Sequence, residues 1–291
     1  MQKLISLCII GKPNAGKSTL LNKVIGQKLS IVTPKVQTTR SIITGIVSYG
    51  DTQIILYDTP GIFEPKRKLE KAMVKCAWSS LNNADIVVFI IDSTTVLDDE
   101  LKKIIKRVVV ADKELLVLMN KIDIKSKNYI ENVQFVESYC QNSKIINISA
   151  LSGKGLEDFI NYLKQRAQTS PWVYEEDDIT DLPARFLACE ATREQLFLML
   201  KQELPYNLTV TCESWKEQQD GSVKINQVII VGRDSHKNII IGKNGAMIKQ
   251  LGSASRESIG RLLGKKVHLF LFVKVRANWE DNPELYENMG V

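Results

Sequence analysis

The chain has 291 residues, 44% of them apolar, with 39 Lys and Arg against 33 Asp and Glu. That content can bury ordinary cores in about two domains and excludes wholesale disorder. Five cysteines, at 8, 76, 140, 189 and 212, form no CxxC pair, which argues for buried thiols in a reducing compartment and against a disulfide framework.

The two histidines, His236 and His268, are too few for a histidine metal site. No apolar run approaches the roughly 18 residues of a membrane span. The N-terminal apolar stretch runs into a glycine loop without a cleavage-like segment. A cytoplasmic protein is expected.

In chain order, apolar runs at 4–10, 45–49, 53–58, 86–92, 115–120 and 144–149 read as strands. Between most of them, 17–25, 68–82, 99–109, 130–141 and 155–166 read as helices. Such alternation predicts a mostly parallel sheet covered on both faces, with its crevice at the carboxyl ends of the strands.

The first strand feeds "GKPNAGKST", in which Gly11, Lys12, Pro13, Asn14, Ala15, Gly16, Lys17 and Ser18, followed by Thr19, fit GxxxxGK[ST]. Backbone N–H groups of such a loop point inward at phosphate oxygens, which requires glycine conformations at 11 and 16. The helix N-terminus adds its dipole. Lys17 can reach the β and γ phosphates, and the Ser18 hydroxyl can ligate Mg²⁺.

Asp58, Thr59, Pro60 and Gly61 follow the third strand. An acid there can hold Mg²⁺ through water, and Gly61 can offer its N–H to a γ-phosphate. Between loop and acid, "VTPKVQTTRS" must contain a switch threonine. Thr39, beside Arg40, is the first choice and Thr38 the alternative, so the candidate metal set is Ser18, Thr39 and Asp58. Ile62 stands where a water-orienting glutamine would be useful, so intrinsic hydrolysis is expected to be slow.

"LVLMNKID" addresses the base. Asp123 can accept from the N1–H and exocyclic amino group of guanine. Adenine has neither donor, and would leave a buried Asp123 unpaired at about 1–3 kcal/mol or more. Asn120 would brace the loop, and the Lys121 stem can lie over the base. Ser149, Ala150 and Leu151 would bring backbone groups to the guanine O6. GTP and GDP are the expected ligands.

The alternation breaks at 169–184, a proline-bounded acidic stretch with Glu175, Glu176, Asp177, Asp178 and Asp181, and reads as a linker. It divides a nucleotide domain, 1–168, from a second domain, 185–280, and a tail, 281–291. In the second domain a helix over 185–202 and strands over 208–213 and 222–231 precede short helical turns. A longer helix then runs to 263, and a last strand covers 267–275.

Residues 221–276 hold 11 basic residues against 2 acidic ones, a balance that suits a polyanion. Gly242, Lys243, Asn244 and Gly245 lie in this region, after Ile241. A GxxG turn between two helices can clamp a nucleic-acid backbone and leave unstacked bases to be read. Lys243 and Lys249, with Arg256 as a further candidate, supply the salt-dependent attraction.

Taken together, these motifs resemble the translation-factor-like GTPases, and within them the Era family. The resemblance rests on 11–19, Gln37 to Arg40, 58–61, Asn120-Lys121-Ile122-Asp123, Ser149-Ala150-Leu151 and the GxxG module, and covers nearly the whole chain. It implies a P-loop GTPase domain followed by an α+β type II KH domain. By the same resemblance the partner is the 3′ end of small-subunit (16S) ribosomal RNA, the task is small-subunit biogenesis and rRNA maturation, and the protein is a monomer able to associate peripherally with the inner membrane. In related GTPases the asparagine equivalent to Asn14 ligates K⁺; bracing the loop is its other reading. Two further readings are a signalling GTPase whose second domain binds protein or membrane, and an RNA-binding module with an inactive nucleotide domain. Intact Lys17, Ser18 and Asp58 argue against the latter.

Overall fold

The structure is a computed structural model, and it describes residues 1–96, 98–110, 113–140 and 143–282. The last residue of the helix expected at 130–141 and most of the expected tail lie outside them. The described residues form two compact units, one of residues 1–30 and 39–181, the other of residues 31–38 and those from 182 onward.

The first unit is built on strands β1 (Lys3–Ile10), β2 (Ile43–Tyr49), β3 (Thr52–Asp58), β4 (Ile86–Asp92), β5 (Glu114–Asn120) and β6 (Lys144–Asn147). Their order in the sheet is β2-β3-β1-β4-β5-β6. Only β2 runs antiparallel to its neighbour within that order. Strands buried on both faces must be apolar throughout, and "IVVFIID" of β4 is buried from Ile86 to Ile91. Helices α1 (Lys17–Ile25), α2 (Lys68–Ser79), α3 (Asp99–Val109), α4 (Asn128–Tyr139) and α5 (Leu156–Arg166) connect the strands.

Helix ends follow local chemistry. Gly26 ends α1 in the left-handed conformation at φ 77°. Asp98 caps α3 by accepting the Leu101 N–H at 2.8 Å, with Asp99 and Glu100 in its first turn.

The acidic stretch expected as a free linker is strapped to this unit through residue 181. Short β7 (Gln168–Thr169) pairs with β1. The Trp172 indole donates to the Lys3 carbonyl at 3.1 Å. The fully buried Gln53 amide accepts from the Val173 and Tyr174 N–H groups at 3.1 Å each and donates to the Tyr174 carbonyl at 2.9 Å. A buried amide needs such partners, and here the acidic stretch provides them.

The second unit runs α6 (Ala184–Met199), β8 (Leu208–Glu217), β9 (Val223–Val231), α7 (Asp234–Ile241), α8 (Ala246–Leu263) and β10 (Val267–Val275). Its sheet has the order β10-β9-β8, with β8 antiparallel and β10 parallel to β9. The helix-strand-strand-helix-helix-strand order is that of a type II KH fold. β8 extends four residues past its expected end because a bulge between Cys212 and Ser214 lets pairing resume. Residues 31–38 belong with this unit: the Val32 N–H donates to Glu194 Oε1 at 3.0 Å, and the Lys35 ammonium donates to the Phe197 carbonyl.

Candidate nucleotide and nucleic-acid sites

Five loops meet at the carboxyl ends of the first unit's strands. The 11–16 turn joins β1 to α1, and a Cβ on Gly16, at φ 102°, would come 2.2 Å from Asn120 Nδ2. Only glycine allows this approach. Asn120 donates from Nδ2 to the Ala15 carbonyl at 2.8 Å and accepts the Ala150 N–H at Oδ1 at 2.9 Å. One buried side chain therefore joins the glycine loop, the end of β5 and the loop after β6.

Lys17 is buried, and its ammonium donates to the carbonyls of Gly11 and Lys12 at 3.1 and 2.9 Å. Burial pulls it down to about 8, against an opposing pull from Asp58. A polyphosphate beside it would favour the charged form, so above pH 8 nucleotide binding takes up a proton and weakens as pH rises. Neither histidine lies in this unit. Titration calorimetry of GDP at pH 8.5, in buffers of different ionisation heat, should detect uptake of up to about 0.8 proton. Lys17→Arg should abolish that uptake; equal heats in all buffers for the parent protein would contradict the lowered ammonium.

The hydroxyls and the acid converge. Ser18 Oγ donates to Asp58 Oδ2 at 2.7 Å and lies 3.0 Å from Thr39 Oγ1. Thr39 is buried and belongs to this unit, whereas Thr38 belongs with the other; only Thr39 reaches Ser18. The structure thus separates the two threonines that local sequence leaves as alternatives. Arg40 is buried as well.

Ser30, which the motifs do not mark, also donates to Asp58 Oδ2, at 2.6 Å. Asn22 on α1 holds Ser30 in place by accepting its N–H and that of Leu29, each at 2.9 Å. No spacing rule points to Ser30, because its partner lies 28 residues downstream. Asp58 is fully buried, and burial raises its carboxyl above the usual range despite Ser30, Ser18 and Lys17. Its Oδ1 has no hydrogen-bond partner among the described residues. A buried carboxylate oxygen without a partner, next to two hydroxyls, is a hard-oxygen donor set that fits Mg²⁺.

The 59–62 segment packs against the glycine loop. The Thr59 hydroxyl donates to the Ile9 carbonyl at 2.8 Å, and the Ile62 N–H to the Gly11 carbonyl at 3.0 Å. A Cβ on Gly61 would fall 2.8 Å from Pro13. The Ile62 side chain is 4% exposed and sits in the core with Phe89 and Ile104. Lys12 turns away to pair with Asp98 and with Glu100 at 2.7 Å. Burial lowers its ammonium, but the two carboxylates outweigh it and the net shift is upward. Asn14 is exposed and left-handed at φ 62°.

At the base end, Lys121 is left-handed at φ 66° and its ammonium lies 2.5 Å from Asp92 Oδ2. Asp123 is exposed and not buried as expected: it occupies the tight turn closed by the Ile124 N–H donating to the Lys121 carbonyl at 3.0 Å. Ser149 N–H is spent on the Lys154 carbonyl and Ala150 N–H on Asn120, while Leu151 is 76% exposed at the loop tip.

The GxxG turn of the second unit joins α7 to α8. The Gly242 N–H donates to the Asn238 carbonyl at 2.9 Å and ends α7. Its φ is 73°, and a Cβ there would come 2.6 Å from the Met247 Cβ. Asn244 and Gly245 follow at φ 53° and 76°. Lys243, Asn244 and Lys249 project into solvent, with Ile241 half-buried behind them. The charged groups lie in the open, while Ile240 and Leu251 anchor the turn in the core.

The family model for the 50S ribosome-binding GTPase matches residues 6–121, and that for the KH domain matches residues 203–280. The GTPase Era of Rickettsia bellii is 58% identical over 291 residues, covering 100% of this chain and 99% of that protein. The GTPase Era of Mesorhizobium japonicum is 46% identical over 286 residues, covering 98% of this chain and 92% of that protein. The crystal structure of Era in complex with MgGDPNP and nucleotides 1506–1542 of 16S ribosomal RNA matches with a TM-score of 0.93 at 35% identity, covering 100% and 99% of the two chains. That of an Aquifex aeolicus Era variant bound to GDP·AlF₄⁻ also scores 0.93, at 36% identity and 99% coverage of each.

Proposed function

Because this chain belongs to the Era GTPase family, we propose that it is a GTP-hydrolysing switch whose second unit grips the 3′ end of 16S ribosomal RNA during small-subunit biogenesis and rRNA maturation. The observation that carries this reading is the convergence of Ser18, Thr39 and the half-satisfied Asp58 beside Lys17, on a chain that also bears a GxxG turn. In this reading 11–19 hold the phosphates, Asp123 selects guanine, and Gly61 answers to the γ-phosphate. Ser18, Thr39 and Asp58 hold Mg²⁺, which offsets phosphate charge when bound.

The route of coupling follows the chain. Residues 31–38 belong with the RNA-binding unit, and the next residue, Thr39, meets Ser18. A nucleotide that fixes Thr39 therefore restrains a segment hydrogen-bonded to α6. The reading places the protein in the cytoplasm with its rRNA. No helix among the described residues is long and apolar enough to cross a membrane, so membrane contact in this reading is peripheral.

Ile62 in the core leaves no polar side chain at that position to orient water. Slow hydrolysis is expected, and K⁺ held at Asn14 would offset phosphate charge without replacing the water-orienting side chain. The test measures phosphate release from GTP in K⁺ and in Na⁺ at equal ionic strength, together with binding of an RNA matching nucleotides 1506–1542 of 16S ribosomal RNA. Faster release in K⁺, lost in Asn14→Ala, supports the potassium role, and equal rates in both salts remove it. Absence of GTP hydrolysis, or of RNA binding, would sink the reading itself.

A further inference from the structure

Helices α6 and α8 pack on one face of the second unit's sheet; on the other, Val228 and Ile230 of β9 are buried, while the β10 edge and the Lys224 end lie open. Along β10 the residues alternate: Val267, Leu269, Leu271, Val273 and Val275 are shielded, while His268, Phe270, Phe272 and Lys274 are exposed. The shielded set packs against the cores that contain α6 and α8. The other set lies on the opposite face of an edge strand, where Phe270 is 47% and Phe272 49% exposed. Two half-exposed aromatics on an edge strand are a liability for a protein that leaves them uncovered.

The surroundings are basic. Register places exposed Lys224 opposite His268 and exposed Lys216 opposite Lys224, all on this face. The Lys224 ammonium lies 5.2 Å from the Phe270 ring centroid. Glu213 is paired with Lys274 at 2.5 Å, which leaves Lys216 and Lys224 in excess. Beyond Phe270 the face opens into a cleft of about 630 Å³ lined by Gln218, Gln219, Lys224, His268 and Phe270. The carboxylates at its rim are engaged, Glu217 with Lys265 at 3.4 Å and Asp220 with the Ser222 hydroxyl at 2.5 Å.

Aromatic rings at i and i+2 on an open edge strand, flanked by lysines, match what stacked bases and their phosphates require. We propose that this open part of the sheet face is a second single-stranded RNA site, in which Phe272 and Phe270 each stack one base and the cleft receives the next nucleotide. The GxxG turn starts α8, whereas the cleft lies past its far end, about 27 Å away for 18 residues at 1.5 Å each. The face thus extends the grip beyond the clamp by several nucleotides. This inference rests on the reading of the unit as an RNA binder.

The test uses the full chain and the RNA matching nucleotides 1506–1542 of 16S ribosomal RNA. Phe270→Ala with Phe272→Ala should weaken binding about 25-fold or more, at about 5-fold or more per lost base. Phe270→Tyr with Phe272→Tyr should bind like the parent, because stacking survives. Ultraviolet crosslinking of the unaltered protein, read by mass spectrometry, should attach nucleotides to the peptide carrying both rings; this readout does not depend on how the variants fold. Unchanged affinity in the alanine variant and no crosslink there would overturn the proposal, while loss of binding in a GxxG variant would still uphold the clamp. Retained affinity in the GxxG variant as well would instead overturn the RNA reading. If the alanine variant binds RNA normally but separates a dimer into monomers, the face is a contact between copies and the proposal fails.

Discussion

Asp123→Asn should shift the base preference from guanine to xanthine nucleotides. The Asp123 carboxylate is exposed and carries no hydrogen bond or ion pair among the described residues, so both its oxygens are available to a ligand. Guanine presents two donors to it. Asparagine offers one acceptor and one donor group, so GTP keeps one hydrogen bond and faces a donor–donor clash. Each hydrogen bond to a charged group contributes about 1.5–3 kcal/mol, so GTP affinity should fall about 100-fold or more. Xanthine has a carbonyl in place of the amino group and accepts from the asparagine. Because the residue is exposed, the fold should tolerate the change. Competition between GTP and XTP for a fluorescent nucleotide decides the matter, and an unaltered GTP preference would remove Asp123 from the base site.

Lys243→Asp together with Asn244→Asp should abolish most RNA binding and leave nucleotide binding intact. Both residues are exposed, and Asn244 occupies a left-handed conformation, at φ 53°, that aspartate also adopts. Two negative charges would then stand where phosphates pass. The slope of log affinity against log salt should flatten by about 0.7 for each lost contact with a single strand. The loss at low salt should be on the order of 100-fold. GTP affinity should not change directly, because Lys17 and Asp123 belong to the other unit. If RNA affinity in the parent depends on whether GTP or GDP is bound, RNA must shift nucleotide affinity by the same factor. Filter binding across a salt series, with calorimetry for nucleotide, measures both; full RNA affinity in the double variant would refute the clamp.

What could be read without the structure was whatever chemistry stays within a few residues of itself. Glycines at 11, 16, 242 and 245 announce turns because backbone demands are local. The apolar runs of β1, β4 and β5 announce buried strands because a parallel sheet hides both faces of each strand. The helix bounds at 17–25 and 99–109 follow the same short-range logic, and the structure shows Gly26 and Asp98 as the residues that close them. The order of motifs along the chain, with its basic second half, is enough to indicate a nucleotide domain followed by an RNA-binding one.

Tertiary structure decided the matters that join distant residues. Thr38 and Thr39 are alike in sequence, and only folding places Thr39 3.0 Å from the Ser18 hydroxyl. Asn120 bonds the Ala15 carbonyl 105 residues earlier, and Ser30 bonds Asp58 28 residues later. The acidic stretch reads as a linker because its charges and prolines are visible, whereas its partner Gln53 lies 121 residues from Tyr174. Phe270 and Phe272 read as ordinary strand residues until sheet order puts them on an edge strand, on the face away from α6 and α8, about half exposed. The reason is the same in each case: backbone conformation and periodicity are set by neighbours in the chain, while burial, pairing and exposure are set by whichever segments folding brings alongside.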